Sequence, residues 1–353
     1  MKFFHIADVH LGAAPDVGCS WSTERKDEIW DTFRKLISKV KAEKIDLLLI
    51  AGDLFHGQPL VRELKEVNYL FTTIPDTKVV LIAGNHDFLK IDSHYQTFPW
   101  AENVLGLWSK DWSRVYLEDL DTYIYGLSYY SREIEEPLYQ YIKPDTLRPE
   151  AVHILLGHGG DAKHIPLQPG ALVDEGFDYV ALGHIHKPEE LIHNRAAYAG
   201  ALEPIDRNDI GKHGFIRGKI EDGDVKIEFV PFAQGEYVVL DIPVDTQTTQ
   251  TSLGELIRET IEEENRKDAI WKIHLVGKRA ADMEFRTELY MGYGKIIQIE
   301  DFTKPDYDLE ELKEQYKGSL IEEYIHAFED APKLPVNEKA LEYGLWAMLE
   351  TKG

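Results

Sequence analysis

The stretch DYVALGHIHKP, residues 178–188, passes from buried strand to polar turn within a few positions. Tyr179, Val180, Ala181 and Leu182 have the apolar character of a strand covered on both faces, and Gly183 breaks it before His184 and His186. Alone, the histidine pair reads first as a polar turn capping a strand and second as a metal site. The pattern recurs, however. KFFHIA (2–7) runs into Asp8-Val9-His10, DLLLIAG (46–52) into Asp53, KVVLIAG (78–84) into Asn85-His86-Asp87, and VHILLG (152–157) into His158. Of the fourteen histidines, five (10, 86, 158, 184 and 186) stand at these strand ends, so chance adjacency is a poor explanation. Carboxylate, amide oxygen and imidazole are the donors that divalent first-row metals take. The preceding glycines suggest sharp backbone bends that aim those side chains into a cleft.

Between the first two runs, ERKDEIWDTFRKLISKVKAEK (24–44) places Ile29, Trp30, Phe33, Leu36, Ile37 and Val40 on one face of an amphipathic helix. A second helix is expected over about 61–73, and TYIYGL (122–127) is a further strand. Strand, helix, strand, helix, strand defines an α/β fold with parallel strands, whose carboxyl ends line the edge where ligands bind. From Gly214 the pattern changes. GFIRGKIEDGDVKIEFVPF reads as a hairpin around Asp222-Gly223. EYVVLDIPV (236–244), a helix over 253–267 and AIWKIHLVG (269–277) then suggest a small α+β domain. The expected division is therefore 1–233, 234–304 and a helical region over 305–353. Over 304–353 there are twelve Asp/Glu against six Lys/Arg, which disfavours direct DNA contact. Its stripe of Leu309, Leu312, Tyr316, Leu320, Tyr324 and Phe328 serves either a partner or packing within its own domain, the second being favoured.

Composition narrows the classes. With 43% hydrophobic and 29% charged residues the chain is globular, and its lone Cys19 excludes an internal disulfide and suits a reducing compartment. MKFFHIADVH lacks the apolar core and small-residue cleavage site of a secretory leader. No apolar run approaches the roughly 20 residues of a membrane span. A cytoplasmic protein without membrane association is expected. The formal charge of −24 argues against a general nucleic-acid coat, although bound cations and local basic residues can reverse the potential at one site.

The set Asp8-x-His10, Gly52-Asp53, Gly84-Asn85-His86-Asp87, His158 and Gly183-His184-x-His186 resembles the signature of the calcineurin-like metallophosphoesterase superfamily. The resemblance implies an α/β fold of two packed, mostly mixed sheets flanked by helices, and a site for two divalent ions. Asp8, His10, Asp53 and His186 would hold the first ion. Asp53, Asn85, His158 and His184 would hold the second, with Asp53 bridging and His184 and His186 serving different ions. The donors suit Mn²⁺, with Fe or Zn as alternatives. Such ions would clamp a phosphodiester and lower the pKa of bound water for in-line attack without a covalent intermediate. His86 is placed to donate to a phosphoryl oxygen or the leaving group. Asp87 either orients the His86 imidazole and favours its charged form or caps the turn.

Gly52-Asp53-Leu54-Phe55-His56 is similar to a motif of the SbcD-like DNA repair exonucleases, which include YhaO-type bacterial relatives. In that family the residue at His56 helps place a DNA strand; the alternative is a surface residue before the next helix. Tyr198-Ala199-Gly200-Ala201-Leu202-Glu203-Pro204 resembles the segment closing the nuclease domain, with Ala201 in place of the usual Ser or Thr. The resemblance implies a Mn²⁺-dependent DNA exonuclease and single-strand endonuclease with a DNA-capping domain. It also implies an SbcC-like coiled-coil ATPase partner, commonly docked on C-terminal helices, and a tendency to homodimerise. The alternative function is hydrolysis of a nucleotide or other small phosphoester at the same centre.

Overall fold

A computed structural model describes residues 1–329, 331–332 and 334–350. Twelve strands form two six-stranded sheets. They are β1 (Lys2–Ile6), β2 (Leu47–Ala51), β3 (Lys78–Ile82), β4 (Val104–Gly106), β5 (Ser113–Leu117) and β6 (Thr122–Gly126). After them come β7 (Val152–His158), β8 (Tyr179–Gly183), β9 (Glu189–Ile192), β10 (Ala196–Tyr198), β11 (Gly214–Glu221) and β12 (Asp224–Pro231). One sheet runs β12-β11-β1-β2-β3-β4 and the other β5-β6-β7-β8-β10-β9. Their centres are parallel, as in β1 on β2 and β7 on β8, while β11, β12, β5 and β9 add antiparallel margins. The mixed two-sheet α/β architecture is the expected one. The five polar strand ends thus come from both sheets, β1–β3 in one and β7 and β8 in the other.

Alternation explains why the strands read as unbroken apolar runs. Phe3, Leu47, Leu49, Val80 and Ile82 join Ile124, Ile154, Leu156 and Tyr179 in one core. Their neighbours Phe4, Ile6, Leu48, Ile50, Val79 and Leu81 pack instead with residues of two helices. These are α1 (Ser22–Glu43), through Ile29, Phe33, Leu36, Ile37 and Val40, and α2 (Val61–Thr72), through Leu64, Val67 and Phe71. A strand buried on both faces needs apolar side chains at both parities. The β11–β12 hairpin turns through Asp222 and Gly223, both at positive φ (52° and 84°), as its sequence predicts.

The chain parts into two compact units. The first comprises Met1–Val239, Arg266–Lys272 and Gly294–Gln298; the second comprises Leu240–Asn265, Ile273–Tyr293 and the chain from Ile299 onward. In the second unit the tail helices Leu309–Gln315, Leu320–Glu329 and Pro335–Glu350 bury Ile321, Ile325 and Leu345. Leu309, Leu312, Tyr316 and Tyr324 pack on that small core, so most of the apolar stripe faces its own unit. Leu320 alone of the six is a largely exposed residue, at 69%. The expected boundary at 305 cuts through a strand. Lys304–Asp306 pairs in parallel with the C-terminal end of the strand Ala269–Ala280, which is sheet where helix was expected. Among the described residues no helix is long and apolar enough to cross a membrane.

Candidate metal centre

The strand ends converge. Asp8, His10, Asp53, Asp87 and His158 are buried, whereas Asn85, His86, His184 and His186 are half-buried and His56 is exposed. Asp8 and Asp53 are tied in register, since Asp8 N donates to Gly52 O at 3.2 Å and His10 N to Asp53 O at 3.0 Å. The bend is carried by the polar residues themselves. Asp8, His10, Asp53 and His184 all take positive φ, at 48°, 50°, 47° and 93°. Such backbones are costly for residues other than glycine, and they concentrate where function over-determines the geometry.

The glycines play another part than the one expected. Gly52 does adopt φ +85°, but Gly84 and Gly183 do not have positive φ. Their value is the absence of a side chain. A Cβ on Gly84 would lie 2.2 Å from Asp53 Oδ1, and one on Gly183 would lie 2.1 Å from Ala51 O.

Two groups of donors result. In one, His10 Nε2 and His186 Nε2 stand 3.3 Å apart beside Asp8, and His10 Nε2 is 3.8 Å from Asp53 Oδ2. In the other, Asn85 Oδ1 lies 2.8 Å from His158 Nε2 and 3.3 Å from His184 Nδ1. Asp53 Oδ2 is 3.4 Å from His158 Nε2, so one carboxylate stands between both groups. Ligand atoms of Asp8, Asp53 and His158, and of Asp8, His10 and His186, lie within 4.8 Å of one another. Ile185, between the paired histidines, packs against the apolar cluster that contains Val180 and Leu182.

The electrostatics are those of crowded charge. Burial raises the Asp8 pKa to about 6, against the pull of His158 and His186. Burial also pushes Asp53 upward, but His158 and His10 outweigh it and hold the carboxyl well below its ordinary range. Burial drives His10 far down and lowers His184 to about 4. His158 and His186 go the other way, to about 9, because neighbouring carboxylates overcome their burial. Imidazole lone pairs and buried carboxylates that converge in this way form a donor set suited to borderline divalent metals.

A model of the calcineurin-like phosphoesterase family matches residues 1–188. The chain belongs to that family. Its curated relatives include the uncharacterized metallophosphoesterase YhaO of Bacillus subtilis (strain 168), 28% identical over 302 residues. That match covers 78% of this chain and 71% of YhaO. The DNA double-strand break repair protein Mre11 of Methanocaldococcus jannaschii is 32% identical over 224 residues, covering 59% of this chain and 58% of that protein. Mre11 of Methanopyrus kandleri is 28% identical over 263 residues, covering 65% and 56%. The chain thus spans little more than half the length of the two archaeal proteins.

One expected role in this phosphoesterase is corrected. Asp87 does not orient His86. Its carboxylate accepts from Gly84 N at 2.8 Å, Phe55 N at 3.1 Å and the Tyr95 hydroxyl at 2.6 Å. Those three donors turn it away from the imidazole and make it a buried brace of the loop, with burial raising its pKa to about 7. His86 Nδ1 instead donates to the His56 carbonyl at 3.3 Å. The His56 ring lies beside both His10 and His86, with ring centroids 5.3 and 5.1 Å away.

Other contributors escaped the motifs. Asp161 lies 2.9 Å from His184 Nε2 and from His164 Nδ1, and Asp209 lies 3.1 Å from His186 Nδ1. Asp161 follows His158-Gly-Gly in the same turn, a signal local enough to read in the sequence; Asp209 sits in a loop with no such signal. Ala201, where the related segment has a hydroxyl, is buried and donates its N–H to His186 O at 2.8 Å, so it serves through its backbone.

Proposed function

We propose that this protein is a two-metal phosphodiesterase that hydrolyses DNA, as exonuclease and single-strand endonuclease, in DNA repair. The observation that carries the reading is the division of the strand-end donors into two groups flanking Asp53. Asp8, His10, Asp53 and His186 would hold one ion and Asp53, Asn85, His158 and His184 the other. When bound, such ions supply charge to phosphoryl oxygens and lower the pKa of water, and Mn²⁺ is the assigned metal. The protein's own groups then position and protonate. With Nδ1 occupied by the His56 carbonyl, His86 has Nε2 free to meet a phosphoryl oxygen or the leaving oxygen. His56, exposed at the rim, is the residue to touch the nucleic-acid strand. Likeness to proteins named for double-strand break repair supports DNA over other esters. The resemblance of the Gly52–His56 motif to SbcD-like nucleases supports an SbcC-like ATPase partner, to which we assign the tail helices, and a DNA-capping role for the second unit.

The test is cleavage of plasmid and oligonucleotide DNA with Mn²⁺ beside hydrolysis of bis-p-nitrophenyl phosphate. The charge of −24 favours a second reading, a phosphodiesterase or phosphatase for small esters. Hydrolysis of the small ester without DNA cleavage would establish that reading instead. His86→Ala should lower turnover by about 10²–10⁴-fold, the usual contribution of a general acid, while keeping bound metal. Loss of the metal from that variant would refute the assigned role.

A further inference from the structure

We propose that Asp161 and Asp209 are positioning residues of the metal centre, each taking the N–H of one histidine in the Gly-His-Ile-His turn and so choosing which ring nitrogen faces the metal. The inference rests on the metal-centre reading above and concerns two residues outside its motifs.

A neutral imidazole has one N–H and one lone pair. A metal takes the lone pair, so whichever nitrogen is held by an outer acceptor determines the one left for the ion. The two histidines are held at opposite nitrogens. His184 presents Nε2 to Asp161 Oδ2 at 2.9 Å and Nδ1 to Asn85 Oδ1 at 3.3 Å. His186 presents Nδ1 to Asp209 Oδ2 at 3.1 Å and Nε2 to His10 Nε2 at 3.3 Å. A pair separated by one residue can thus address two groups of donors with different atoms. His158 is held differently, by the Ala51 carbonyl at 2.9 Å from Nδ1.

Both carboxylates are themselves fixed. Asp209 Oδ2 accepts from Ile205 N and Asp206 N, each at 2.9 Å. Asp161 Oδ1 accepts from Lys163 N at 2.7 Å and His164 N at 3.0 Å, and His164 Nδ1 lies 2.9 Å from it. Neither can swing away without breaking backbone hydrogen bonds. They differ in exposure: the Asp209 side chain is 10% exposed and that of Asp161 is 46% exposed, so Asp209 should act more strongly.

Asparagine separates positioning from packing. In Asp209→Asn the amide oxygen stays at the Oδ2 position, its two lone pairs taken by the backbone N–H groups, and the NH₂ replaces Oδ1, which lies 3.2 Å from His186 Nδ1. A donor there forces the ring proton onto Nε2, the nitrogen aimed at the metal. Asp161→Asn does the reverse to His184, moving its proton onto Nδ1.

The full chain, with ¹⁵N-labelled histidine rings, is examined metal-free by NMR at a pH above the histidine range, where both rings are neutral, and then titrated at neutral pH with Mn²⁺ alone, free ion being read by electron paramagnetic resonance. Wild type should take up two Mn²⁺. Asp209→Asn should move one ring proton from Nδ1 to Nε2 and weaken one Mn²⁺ site by roughly 10–100-fold, the range for outer-shell partners, leaving the other unchanged. Asp161→Asn should move a proton from Nε2 to Nδ1 with a smaller loss, and both variants should keep the metal-free circular dichroism spectrum. Unchanged ring shifts and Mn²⁺ affinities in both variants would overturn the inference alone. Three Mn²⁺ in wild type and two in Asp161→Asn would make Asp161 a ligand and overturn its positioning role. A wild type that takes up no Mn²⁺ would overturn the metal-centre reading and this inference with it.

Discussion

Two places in the first unit bury charge, and they do so in opposite ways. In one, Arg25 and Glu203 are both essentially fully buried, and Glu203 accepts from Thr32, from Gln234 N at 2.6 Å and from Gly235 N at 3.2 Å. Arg25 reaches Glu203 Oε2 at 3.5 Å, Pro204 O at 2.7 Å and Glu28. Donor meets acceptor throughout, apart from an unpartnered Arg25 Nε. At the strand ends, by contrast, nitrogen faces nitrogen: His10 Nε2 opposes His186 Nε2, and His10 Nδ1 opposes His56 Nδ1, each at 3.3 Å. The first network is complete as polypeptide but for that one N–H. The second brings basic nitrogens together at points where a proton or a metal ion must sit between them, which is an arrangement for cations. Buried polarity is therefore structural or functional according to whether its donors and acceptors balance.

The sharpest way to break the contrast is Arg25→Met. It leaves Glu203 buried without its cation and should cost about 3–5 kcal/mol of stability, read from urea unfolding, with Mn²⁺ affinity of the folded protein unchanged. Wild-type stability in that variant would remove the structural half of the comparison. The metal centre should show a smaller effect that depends on ligand. Mn²⁺ at 100 times its Kd should stabilise wild type by about 2.7 kcal/mol. Asp53→Asn, which removes the carboxylate between the two donor groups, should abolish that increment. Equal stabilisation of the variant by Mn²⁺ would mean that the ion binds elsewhere.

How far each region could be read in the sequence follows from how local its signal is. The strand-end residues announce themselves because each lies within a few positions of an apolar run, and parity-independent burial makes those runs continuous. The choice between the two readings of Asp87, partner of His86 or turn cap, is not local in the same way. Adjacency to His86 suggested a partnership, but Tyr95, Phe55 and Gly84 claim its oxygens through contacts that spacing does not encode. Asp209 was invisible because it reaches His186 only after the loop near Ile205 folds back. The edge strands β4, β5 and β9, with many half-exposed positions, and the buried interior strand β10 have three to five residues each, too short for either period to register. The tail's apolar stripe was plain, whereas the surface it covers depended on Ile321, Ile325 and Leu345, which lie off that stripe.

The smallest expected effect concerns a histidine in neither class. His5 lies on β1, fully buried, with Nδ1 2.9 Å from the Tyr179 hydroxyl and Nε2 without a partner. No carboxylate compensates its burial, which lowers its pKa to about 3, whereas carboxylates raise His158 and His186 to about 9. A base whose folded pKa lies below its unfolded value near 6.5 stays neutral in the fold while the unfolded chain takes up a proton. Its contribution to stability is present above about pH 6.5 and is lost as pH falls toward about 3. The slope can reach about 1.4 kcal/mol per pH unit. His5→Phe should lower stability at pH 7.5 by about 1 kcal/mol, since it leaves the Tyr179 hydroxyl without its partner. Between pH 6.5 and 5.5 the variant should then lose less stability than wild type, measured by urea unfolding with metal chelated, which also removes linkage to bound ions. Parallel pH profiles would show that His5 does not titrate on unfolding and would remove its contrast with His158 and His186.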